Sequence, residues 1–97
     1  MKWRMLEEKL EGKKWKEVEI LWLTEDGEEV VAVAEGREGT YCPSLDFGRR
    51  EMYCSCLGFR THGTVCKHLA ALLMALRGRR REEELEGVLK WRRTPGE

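Results

Sequence analysis

Residues 52–71 read MYCSCLGFRTHGTVCKHLAA, and the fold turns on how this stretch is read. Cys54 and Cys56 stand one residue apart, nine residues follow, and Cys66 and His68 are again one residue apart. Three thiolates and an imidazole are the ligand set of a tetrahedral structural zinc site. A Cys-x-Cys pair at a strand end bites one ion if the chain kinks after the first ligand. A Cys-x-His pair works where a helix begins, with Cys66 at the cap and His68 in the first turn. There the positive end of the helix favours a thiolate over a thiol. One isolated cysteine is more often a small buried hydrophobe. Four ligand-type residues in two matched pairs, directly before an apolar helix, point instead to one zinc ion. His62 is a rival ligand, but the register is complete without it and leaves it as an exposed hydrogen-bond donor.

Downstream, Cys66–Arg77 reads as a helix that Gly78 ends. Leu69, Leu72, Leu73 and Leu76 form the stripe that faces a core. Ala70, Ala71, Met74 and Ala75 make the other faces nearly apolar as well. Such a helix is buried all round or docked on a partner. Either the terminal helices cover it, or Leu69, Ala71, Leu72, Leu73, Met74 and Leu76 form a partner interface. Leu85, Val88 and Leu89 continue as a second stripe, so residues 79–93 read as a C-terminal helix with Trp91 packed beneath it.

Upstream, Trp3, Leu6 and Leu10 lie at helical spacing, with Trp3 expected in the core and Gly12 as the stop, giving an N-terminal helix over 1–12. Residues 15–48 then read as an antiparallel β-meander: a strand over 15–24, the Asp26-Gly27 hairpin signal, a strand over 29–35, and a third over 40–45. Pro43 predicts that the third strand lies at an edge or stops early. A further strand over 50–55 carries Cys54, and 57–65 reads as a loop whose Gly58 and Gly63 let the backbone close around the ion. Cys42, outside the motif, reads as a small buried hydrophobe. The whole is one α+β domain over 1–97, in which the metal contributes to folding on the order of 10–16 kcal/mol.

The 97 residues carry no net charge, but unevenly. Residues 1–47 hold seven Lys/Arg against twelve Asp/Glu, and residues 48–97 hold eleven against six. The basic half is the zinc half. Arg77, Arg79, Arg80 and Arg81, extended by Arg49, Arg50, Arg60, Lys67, Arg92 and Arg93, form a candidate phosphate-contacting surface. The opposing reading is structural, because Glu82-Glu83-Glu84 follows at once and both blocks complement helix dipoles. No segment reads as a signal peptide or membrane span, and thiols used as ligands fit a reducing cytoplasm. Asn and Gln are absent and Lys, Arg and Glu abound, the composition of heat-adapted proteins. Catalysis is not expected, since catalytic zinc keeps a position open for water and four protein ligands close the shell. A small-molecule substrate is not expected either.

The CSC…CKH pattern, with Phe59 after the second Cys and Leu69-Ala70-Ala71 after the His, resembles the SWIM zinc finger. That resemblance implies a ββα module over 49–77, extended here by the meander and the C-terminal helix. SWIM modules bind protein or nucleic acid. One branch carries Cys-x-Cys…Cys-x-His-x-x-Ala, which Ala71 completes here. The likeness to that branch, which includes stand-alone SWIM proteins, implies binding to a RecA-family recombinase paralogue in DNA recombination and repair. Direct DNA or RNA binding through Arg77–Arg81 is the alternative.

Overall fold

The computed structural model describes residues 2–91, and side chains for all of these except 2–5 and 62. Arg92 and Arg93 therefore lie outside what is described, as do the side chains of Trp3 and His62. Helix α1 (Lys2–Lys9) opens the chain. Two 3-10 turns, Glu11–Lys13 and Trp15–Glu17, follow and meet at Lys14 in the left-handed region. The first strand starts after them, so Trp15 lies in a turn rather than in the strand expected from residue 15.

Strands β1 (Glu19–Asp26), β2 (Glu29–Gly36), β3 (Gly39–Tyr41), β4 (Ser44–Asp46) and β5 (Glu51–Tyr53) form one antiparallel sheet. The β1–β2 loop is Gly27-Glu28, with φ of 66° at Gly27. A positive φ at the first of two loop positions is what a II′ hairpin requires, and only glycine adopts it without strain. β3 and β4 share a single register against β2: Tyr41 lies opposite Ala34 and Ser44 opposite Val31. They are one strand interrupted at Pro43, whose carbonyl accepts the Ala32 N–H at 3.0 Å while its ring nitrogen has no proton to return. β3 thus stops early, at Tyr41, as Pro43 predicts, and the strand resumes as β4, which runs between β2 and β5.

Alternation sends Val30, Ala32, Ala34, Leu45 and Met52 to one face, where all are buried. Helix α3 (Lys67–Ala75) packs on β1, β2 and the Trp15–Glu17 turn. α1 packs against α4 (Glu82–Val88), held also by Lys9 Nζ and Glu86 Oε1 at 2.9 Å. Leu6, Leu10, Leu85 and Val88 join the leucines of α3 in a single core. The faces of α3 are therefore covered from within the chain. Leu69, Leu72, Leu73 and Leu76 are fully buried, and Ala71 and Met74 are only 5% exposed. This corrects the expected partner interface: in this fold those six side chains offer no surface to another molecule.

Candidate metal centre

β5 ends at Tyr53, so Cys54 leaves the sheet at its tip. Cys56 then caps helix α2 (Leu57–His62), its Sγ accepting the Phe59 N–H at 3.4 Å. Gly63, at φ 71°, closes that helix by donating its N–H to the Phe59 carbonyl at 2.7 Å. The segment expected as a loop is thus a short capped helix, and Phe59, fully buried, roots it in the core. Of its two glycines only Gly63 is needed for its backbone freedom. Cys66 caps α3 and His68 sits in the first turn, as the spacing requires. One strand-to-helix junction and one helix start therefore aim four donors at one point.

The four donor atoms all lie within 4.8 Å of one another. His68 Nδ1 is 3.7 Å from Cys54 Sγ and 3.9 Å from Cys66 Sγ. With Zn–S near 2.3 Å and Zn–N near 2.0–2.1 Å, the S···N edge of a zinc tetrahedron is about 3.6 Å, so the cluster fits. Cys54, Cys56 and His68 are buried and Cys66 partly so.

The charges of the thiols point the same way. A hydrogen bond from Cys54 holds the Cys66 thiol down, to about 5, aided by the Leu69 N–H. That same contact, and then burial, pushes Cys54 far up, while burial raises Cys56 despite the Phe59 N–H. Without a cation the pocket supports one thiolate and two thiols. A divalent ion supplies the charge that lets all three ionise.

Two residues that support the site were not read from the sequence. Gly36, at the end of β2, lies against the imidazole so closely that a Cβ there would stand 3.2 Å from His68 Nε2. The Tyr41 ring covers His68 at a centroid distance of 4.5 Å. Both belong to the β2–β3 hairpin, which backs the ligand opposite the metal. Their only signal was the position of the Gly36–Gly39 turn. Lys67, between two ligands, pairs with Glu38 of that hairpin at 3.5 Å.

Among the described basic residues, several are taken up by contacts within the chain. Arg80, its side chain 12% exposed, pairs with Glu25 (3.4 Å), Glu28 (3.5 Å) and Glu84 (3.9 Å). It also donates to the Gly27 carbonyl at 3.0 Å and stacks over Phe47 at 4.2 Å. Arg79 pairs with Glu25 at 3.5 Å, and Arg77 Nε donates to the Met74 carbonyl at 3.1 Å. The run fastens the α3–α4 connection to the β1–β2 hairpin, which is the structural reading. Arg81 is exposed ahead of α4, Arg49 and Arg50 are exposed in the turn after β4, and Arg60 is exposed on α2. Arg50 shares a hollow with Glu83 and Glu84, beside Trp91, which packs edge-on against Phe47 at 5.4 Å. Cys42 is exposed, correcting its expected burial: it projects opposite Val33, away from the core.

A closed Cys₃His set that joins the end of a β-strand to a helix start defines a structural zinc finger. Residues 50–77 match the family model of the SWIM zinc finger, and the four-residue Cys/His cluster within them is compatible with one structural zinc ion. The match spans less than a third of the chain. Among curated proteins and solved structures, none matches the chain. No described helix is long and apolar enough to cross a membrane.

Proposed function

We propose that this chain is a zinc-stabilised interaction module, not an enzyme, acting in the cytoplasm as an accessory factor in DNA recombination and repair by binding a RecA-family recombinase paralogue. The observation that carries the reading is the closed Cys54/Cys56/Cys66/His68 shell, completed as Cys-x-His-x-x-Ala by Ala71. Four protein donors satisfy a tetrahedral ion, so the metal serves to hold the end of β5 and the start of α2 to α3. Ala71 is buried, so it supports the reading through sequence pattern and packing rather than as a contact. The test mixes zinc-loaded protein with each RecA-class ATPase of its host. Binding at micromolar concentration is expected, and failure to bind any of them overturns the proposal.

Direct nucleic-acid contact has less support, because Arg79 and Arg80 are already paired with carboxylates. A gel shift that falls steeply with salt, and is abolished by Arg81→Ala and Arg50→Ala, would reverse that ranking.

A further inference from the structure

The face of the sheet turned away from α3 carries an arrangement that neither the zinc finger nor the core accounts for. Pairing registers place Asp26 opposite Glu29, Glu29 opposite Asp46, and Asp46 opposite Glu51. Four carboxylates therefore form one row across four strands. Like charges directly opposite one another destabilise a sheet. Among the described residues none of the four enters an ion pair, and only the Asp46 side chain is hydrogen-bonded, accepting the N–H groups of Gly48 and Arg49. The five strands contain no Lys or Arg. At the far end of the same face, Glu19 lies opposite Glu35.

Between the two acidic ends the face is uncharged and partly apolar. Thr24, Val31, Ser44 and Tyr53 form the next row, followed by Trp22 beside Val33. Trp22 is 54% exposed and Tyr53 49%. Leu21, the residue skipped at the irregularity between Ile20 and Trp22, is 50% exposed beside them. Of the described helices, those with substantial contact to the sheet reach it through α3, on the opposite face.

We propose that this open face is the docking surface for a cationic segment of a protein partner, one that alternates or flanks aliphatic side chains with Lys or Arg. The aliphatic groups cover Trp22, Val31, Val33 and Tyr53, and the cations meet the flanking carboxylates. Long basic side chains suit both parts, since their stems lie on apolar surface while their heads reach the acids. Charge selects this occupant over others. Nucleic acid and anionic lipid are repelled, and a second copy of the chain would set acidic row against acidic row. The proposal deepens the protein-partner reading above and rests on it.

The test is an NMR titration of the ¹⁵N-labelled, zinc-loaded chain with a short peptide alternating lysine and leucine, and with its glutamate–leucine counterpart. The lysine peptide is expected to shift amides of β1, β2, β4 and β5, with an affinity that falls as salt rises. Glu29→Lys combined with Glu51→Lys is expected to weaken it by about tenfold or more, with Trp22→Ser as a second variant; zinc content and circular dichroism verify that each folds. No shifts, equal shifts with both peptides, shifts confined to the helices, or an unchanged affinity in the folded variants each overturn the proposal. So does dimerisation of the free chain through this face, or an affinity that rises in Arg92→Ala/Arg93→Ala, which would assign the face to the chain's own tail. If a RecA-class ATPase binds wild type and the Glu29→Lys/Glu51→Lys variant equally, the surface is refuted while the function stands. If no such ATPase binds but the lysine peptide does, the function is refuted while the surface stands.

Discussion

The zinc corner and the open sheet face are built partly from the same strands, yet they treat polar side chains in opposite ways. At the tip of β5, Cys54, Cys56, Cys66 and His68 are taken out of water and turned on one another. On the outer face, Asp26, Glu29, Asp46 and Glu51 are held side by side, and among the described residues none of them is in an ion pair. The first arrangement is completed by an ion and serves the fold. The second is left incomplete by the fold, which is why it is read as a surface for something else. A cluster's role thus depends on whether its charge is balanced inside the molecule, not on how tightly it is grouped along the chain.

The largest effect should come from opening the zinc corner. Removing the metal with a chelator, or replacing Cys66 by Ser, forfeits much of an apparent binding energy on the order of 10–16 kcal/mol. The expected outcome is loss of bound zinc and melting of α2 and α3, seen by elemental analysis and circular dichroism. Acid should act in the same direction. With Cys66 already ionised above about 5 and the Cys54 and Cys56 thiols held protonated, zinc entering at neutral pH must displace protons from those two thiols. Zinc affinity therefore rises with pH and is lost as pH falls, and calorimetry in buffers of different ionisation enthalpy should count about two protons released per ion. A chelated chain that keeps its helices would erase the contrast between the two regions.

A smaller effect is expected one layer out. Gly36→Ala places a methyl group 3.2 Å from His68 Nε2. The ring has little room to retreat, with Tyr41 over it and two sulfurs at its other nitrogen. Groups that orient a metal ligand typically change affinity by about 10–100-fold. Competition against a chromophoric chelator should show a loss in that range with the secondary structure intact. An unchanged affinity would mean that the hairpin does not position the imidazole.

The two regions also differ in how far the sequence reveals them. The ligands sit in one contiguous stretch whose spacing has few other uses, so the metal, the helix start at Cys66 and the preceding strand were all legible. Helix α2 was not, because six residues are too few for a period and its stability comes from the Cys56 cap, Gly63 and buried Phe59. The contiguous arginines drew attention as a binding surface, whereas the structure pairs Arg79 and Arg80 with Glu25, up to 55 positions earlier. The acidic row went unread for the converse reason. Its members come from four strands and become neighbours only through register. Apolar pattern alone showed that α3 needs cover on every side and left open whether the terminal helices or a partner supply it; α1, α4 and the sheet do.

Arg80→Ala tests the arginine side of that contrast. Exposed ion pairs add little, but this side chain is nearly buried, bonds a carbonyl and stacks on Phe47. A loss of roughly 1–2 kcal/mol in urea denaturation of the zinc-loaded chain is expected from those contacts. Unchanged stability together with lost nucleic-acid binding would instead return the run to the surface role.

The smallest effect carries the opposite sign. Glu29 lies between Asp26 and Asp46, with each of which it is directly paired across the sheet, and it is exposed. Replacing it by Lys turns two repulsive cross-strand pairs into attractive ones, each worth roughly 0.2–1 kcal/mol at most. Salt screening and the entropy of a long side chain reduce that, so Glu29→Lys is expected to raise stability by a few tenths of a kcal/mol, with the gain shrinking as salt is added. A surface kept for the chain's own stability would not contain a position that a single charge reversal improves. If the variant is destabilised by a similar amount at low salt, the carboxylates are balanced within the molecule after all, and the outer face loses the feature that sets it apart from the zinc corner.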